Sequence, residues 1–123
     1  MEPRADLINL PHAMTIVGRL VYYLEYRRDP VPVEETQVRE ILAALDGILR
    51  PYPVDPPAAT AVNAAWAAAE QARLLAVELV RVGYKGDRLG QCVRNLFECL
   101  GLPEEGAALS LECGEHPNSP LRP

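Results

Sequence analysis

Residues 58–72 read "AATAVNAAWAAAEQA", nine alanines set around one tryptophan, Trp66. Alanine loses no side-chain entropy in a helix and is the best helix former, so the stretch predicts helix. Asp55 is placed to cap it and Pro56 to open its first turn, and the next break is Gly83. A helix across that interval has about 27 residues and spans roughly 40 Å. Its alternating three- and four-residue steps bring Val62, Ala65, Ala69, Ala72, Ala76 and Leu79 onto one seam. Small side chains along a seam let two helix axes approach closely. Helix propensity alone accounts for so many alanines, and the second axis can be another helix of the same chain or another copy; the latter gives the expected homodimer, with Ala65, Ala69 and Ala72 at the contact and Trp66 as its anchor.

On either side of this element the chain repeats the helical period. Ala13, Val17, Leu20, Val21 and Leu24 mark a first helix from about Leu10 to Arg28, capped by Asn9. Val38, Ile41, Leu42, Leu45, Ile48 and Leu49 mark a second from Glu34 to Leu49, followed by "PYPVDPP", whose prolines forbid helix. Leu89, Cys92, Val93, Leu96, Phe97 and Leu100 mark a fourth, with Asp87 as its cap and Gly101 as its stop. The connections are short enough to favour antiparallel neighbours, so the expected fold is all-α: a four-helix up-down bundle with one long central helix. Residues 1–101 form that bundle domain. Residues 102–123, with further prolines and no apolar period, are expected as an irregular acidic tail.

Charge and composition narrow the function classes. Roughly half of the residues are apolar, which excludes a disordered chain. The formal net charge is −5, and Glu104, Glu105, Glu112 and Glu115 crowd into the last segment. Clustered positive charge, which nucleic-acid binding requires, is therefore missing as a bulk property. The N-terminus lacks the basic-then-apolar order of a signal peptide. The longest uncharged run, Pro56 to Ala69, is too short and too alanine-rich to span a bilayer. Three cysteines in no disulfide-framework pattern fit a reduced, cytoplasmic protein.

No catalytic constellation stands out. His12 and His116 fall at terminal or irregular positions, and no glycine-rich phosphate loop precedes a helix. Glu34, Glu35, Glu40 and Asp46 share one helix without the second carboxylate helix that a metal centre of that type needs. Cys113 and His116 have the spacing of a ligand pair, but Cys92 and Cys99 are about 10 Å apart along one helix and cannot both complete a tetrahedron. The expectation is a protein with no catalytic residues, no metal and no cofactor.

Two stretches carry residue types that recognition uses. "GRLVYYLEYRRD" mixes tyrosine with arginine, and Tyr22, Tyr26, Arg27 and Arg28 are expected to contact a partner protein, since both types are enriched at binding hot spots. In "GYKGDRLGQCVRNLF", Arg88, Gln91 and Asn95 share one face of the fourth helix and are types that read base edges. The first set implies a non-enzymatic interaction module: a small regulator or inhibitor, compatible with a phage or mobile-element origin, or a small subunit of an assembly. The second implies a helix-turn-helix-like transcription regulator. The long preceding helix and the acidic balance weigh against it.

Overall fold

The structure, a computed structural model, describes residues 2–26 and 35–116. Among these the chain is all-helical, with no strand. A 3-10 turn at Ala5–Leu7 leads into α1 (Leu10–Tyr26), α2 (Thr36–Leu49), α3 (Ala58–Arg81), α4 (Asp87–Cys99) and α5 (Pro103–Glu112). Asn9 caps α1 as its sequence suggests: its side-chain oxygen accepts the His12 N–H at 3.1 Å. Asp55 does not cap α3. Its carboxylate instead accepts the Leu10 N–H at 3.0 Å, so it also serves the N-terminus of α1, where an anion meets the positive end of the helix dipole. The reason is local. Pro57 forces Pro56 out of helical conformation and is itself extended (ψ 152°), so α3 starts only at Ala58.

Helix α1 packs against α2 and α4, and α3 packs against the same two. The core is made of unequal contributions. Helix α2 supplies Val38, Leu42, Leu45 and Leu49, whereas the 24-residue α3 buries seven alanines with only Leu75 and Leu79. Ala65, Ala69 and Ala72 are sealed in this core, at 1 % exposure or less, which corrects their expected place in a contact between copies. The seam is filled within the chain because leucine-rich neighbours need a shallow surface to close on. Trp66 faces the other way and is 38 % exposed.

Residues 102–116 are not an irregular tail, and their helix α5 is the main correction to the sequence reading; the rest of that expected tail lies outside the described residues. Pro103 stands at the start of α5 with Glu104 and Glu105 in the first turn, a favourable opening on both backbone and dipole grounds. Its inward positions are Gly106, Leu109, Ser110 and Cys113, spaced as a helix face, but glycine and serine give no apolar signal. Small residues are needed there because α5 lies against α4 at backbone distance. A Cβ at Gly106 would fall 2.7 Å from Phe97 Cβ, and one at Gly90 would fall 2.6 Å from Glu115 Cβ.

Polar contacts hold this helix from three sides. Arg73 of α3 grips Glu105 bidentately, with one hydrogen bond at 2.8 Å through Nη2 and another through Nε. At the far end, Gly114 (φ +102°) turns the chain so that the Glu115 N–H reaches the Ser110 carbonyl at 2.9 Å, a Schellman closure. Glu115 is thereby buried. It accepts a hydrogen bond from Ser110 Oγ at 2.8 Å and pairs with Arg94 at 3.1 Å. Asp87, expected as the cap of α4, sits one residue inside it. Gly86 takes the cap position, and Asp87 Oδ1 accepts the His116 N–H at 2.9 Å.

Two outcomes test this packing. Gly18 and Gly47 have open space where a Cβ would go, so Gly18→Ala and Gly47→Ala should each stabilise the protein by about 0.5–1 kcal/mol. Gly90→Ala and Gly106→Ala should instead cost about 1–3 kcal/mol in urea unfolding, although the same propensity gain is on offer. The Arg73 hydrogen bonds hold the Glu105 carboxyl below its usual range, against the opposing effect of burial. Stability from a lowered carboxyl pKa is fully present above the unfolded value of about 4.3 and is lost as pH falls through the folded one. The stability gap between the wild type and Glu105→Gln should therefore be constant near neutrality and close in acid. A gap that widened in acid would refute the pairing.

Candidate functional site

The two recognition stretches face each other across one cleft. On α1, Arg19, Tyr22, Tyr23 and Tyr26 follow steps of three, one and three. On α4, Arg88, Gln91, Cys92 and Asn95 follow the same steps. Each set is one face of a helix, because residues three and four apart are surface neighbours. Since α1 packs on α4, the two faces become opposing walls over a floor that includes Leu20 and Leu89. The space between them is about 570 Å³, well within the size of clefts that hold ligands or peptide side chains.

The walls are built differently. Tyr22 and Tyr26 stack with ring centroids 4.4 Å apart and are 64 % and 69 % exposed. Tyr23 is more confined and meets the buried Tyr84 edge-on at 6.2 Å. Tyr84 in turn donates its hydroxyl proton to Glu35, so the inner end of the aromatic wall is anchored to the start of α2. On α4, Gln91 and Asn95 are half-buried, and the Gln91 amide donates to Asp87 at 2.9 Å. These side chains line a concavity rather than project from the surface. Arg27 and Arg28 lie outside the described residues.

Charge is distributed unevenly around the molecule. Arg4, Arg39, Arg50, Arg73, Arg81 and Arg94 each pair with a carboxylate. Arg19 and Arg88, the other arginines among the described residues, do not, and both line the cleft. Among the described residues, no aspartate or glutamate lines it with them. The field of both guanidinium groups is felt at Cys92, whose thiol is pushed up by burial and pulled back by Arg19 and Arg88.

Other candidate groups are engaged elsewhere. Glu35 receives Arg39 and Tyr84, and Asp46 receives Arg50. Among the described residues, no three His, Cys, Asp or Glu side chains gather as a metal site would require. Burial, with Glu98 and Glu112 adding to it respectively, pushes the Cys99 and Cys113 thiols up to about 11. The sequence pointed to Tyr22, Tyr26, Arg88, Gln91 and Asn95, marked Arg19 and Tyr23 only as members of the tyrosine–arginine stretch, and treated the two faces as rivals. The shared spacing of the two stripes was the available signal; their juxtaposition was not.

Thiolate is the reactive form of cysteine, so the three thiols should separate kinetically. In the folded protein at neutral pH, a thiol-reactive disulfide should label half-exposed Cys92 first, while Cys99 and Cys113 should react only on unfolding. Simultaneous labelling of all three would contradict the packing of α4 and α5. No family model matches this chain, and no curated protein and no solved structure matches it either, so its function is read from geometry.

Proposed function

We propose that this protein is a non-enzymatic protein-interaction module, a small regulator, inhibitor or assembly subunit, whose α1–α4 cleft holds a segment of a partner protein. The observation that carries this reading is the convergence of three tyrosines and two carboxylate-free arginines on one concave surface. Tyrosine and arginine are the types whose truncation most weakens interfaces, and they do so best in partly enclosed pockets. The supporting frame is read as an up-down bundle, in keeping with the closed cycle of packing from α1 to α2, α3, α4 and back to α1. Among the described residues no helix is long and apolar enough to cross a membrane, and a cytoplasmic location accompanies the reading.

Self-association belongs to the proposal through a different face from the alanine seam. Trp66, Leu74 and Val77 are 38 %, 53 % and 61 % exposed on the outer side of α3, and their spacing places them on one stripe. The alternative use of Arg88, Gln91 and Asn95 on DNA is disfavoured by the same geometry. A recognition helix must protrude into the major groove, whereas α4 is flanked by α1, α3 and α5.

One experiment with two arms tests the reading. Tyr22→Ala combined with Tyr26→Ala should leave the melting temperature nearly unchanged, because both rings are exposed, and should reduce partner capture from the source cell at least tenfold, about 1.4 kcal/mol. Trp66→Glu should convert a dimer to a monomer in light scattering while capture persists. Undiminished capture by the double tyrosine variant would overturn the cleft assignment, and a monomeric wild type would remove self-association.

A further inference from the structure

We infer that the cleft selects an acidic segment, with partner carboxylates seated on Arg19 and Arg88. This rests on the reading of the cleft as a protein-binding site and specifies the chemistry of what enters it. In a chain with 17 acidic against 12 basic residues, an arginine has an excess of internal partners. Six of the eight described arginines take one, and the two that do not share the same cleft.

The acids nearest to them in sequence are held elsewhere. Asp87, adjacent to Arg88, spends one carboxylate oxygen on Gln91 and the other on the His116 N–H. Glu25, between Tyr22 and Tyr26 on the turn of α1 that follows Arg19, pairs with Arg39 at 2.7 Å. The cleft is left locally cationic on a molecule that is acidic overall. A guanidinium presents a planar fork that matches a carboxylate bidentately, and flanking tyrosines exclude water from such a pair. A short segment responds to this local charge, whereas an extended polyanion such as duplex DNA meets the repulsion of the whole net charge.

The test uses the intact chain as bait for a displayed library of random twelve-residue peptides, followed by synthesis of the enriched sequences. Enrichment in Asp and Glu is expected, with at least tenfold weaker binding to the Arg19→Glu, Arg88→Glu double variant. Neither arginine is paired in the fold, so that variant should keep the wild-type melting temperature; Arg19→Gln with Arg88→Gln, if the double reversal unfolds, serves the same comparison. Arg19→Lys with Arg88→Lys should bind at an intermediate level, because charge is kept and the fork is lost. Enrichment of neutral or basic peptides that still need Tyr22 and Tyr26 would overturn the acidic preference and leave the cleft reading intact. Peptides indifferent to both the tyrosines and the arginines would overturn both, as would arginine-dependent binding of a duplex oligonucleotide in preference to any peptide.

Discussion

Helix α5 rests on α4 at backbone distance because Gly90 and Gly106 carry no Cβ to hold them apart. The rest of the structure is arranged around that approach. Along α4, Gly90, Arg94 and Phe97 are among the residues met by α5 and its end. Leu89, Val93 and Leu96 belong to the buried core. The cleft uses Arg88, Gln91, Cys92 and Asn95, on roughly the opposite side of α4 from α5 at 100° per residue. A single thirteen-residue helix thus serves a core, a docked helix and one wall of the cleft. The close approach keeps the docked helix off the wall.

Such an approach has few apolar side chains to stabilise it, so polar closure takes a larger part. The Arg73–Glu105 fork, the buried Glu115 between Arg94 and Ser110, and the Asp87 hydrogen bond to His116 all tie α5 or its end to α3 and α4. Paired or hydrogen-bonded charges of this kind add directional preference where hydrophobic contact gives little. The same economy of charge sets up the cleft. Carboxylates bordering it are drawn into these and neighbouring pairs, and two arginines remain with their charge directed at the groove.

A large part of this was legible in the residues themselves. Four helices followed from apolar residues at three- and four-residue steps, with boundaries set by Asn9, the proline-rich 51–57 segment, Gly83 and Gly101. Tyr22, Tyr26, Arg88, Gln91 and Asn95 could be picked out as recognition types on helix faces because their spacing is local. What could not be read is anything that depends on which helix lies beside which. Asp55 could have capped α3, which follows it in sequence, or α1, which reaches it only in space, and it caps α1. The alanines of α3 permitted a close partner without naming it, and the partner is this chain's own core.

Sequence by itself determined the four helices that carry an apolar period, the register of each of those stripes and the chemical types on their exposed faces, since all three follow from periodicity along one element. Tertiary structure alone decided that residues 103–112 are a helix worth docking. Gly106 and Ser110 look like breakers until a neighbouring backbone needs the room they leave, and the contacts that hold the helix come from Arg73, 32 residues before Glu105, and from Phe97 on the preceding helix. It also decided that two separate stripes line one cleft. Spacing fixes where a side chain sits around its own axis, but only the packing of α1 on α4 brings the tyrosines opposite the arginine of the other helix and leaves both guanidinium groups without a carboxylate.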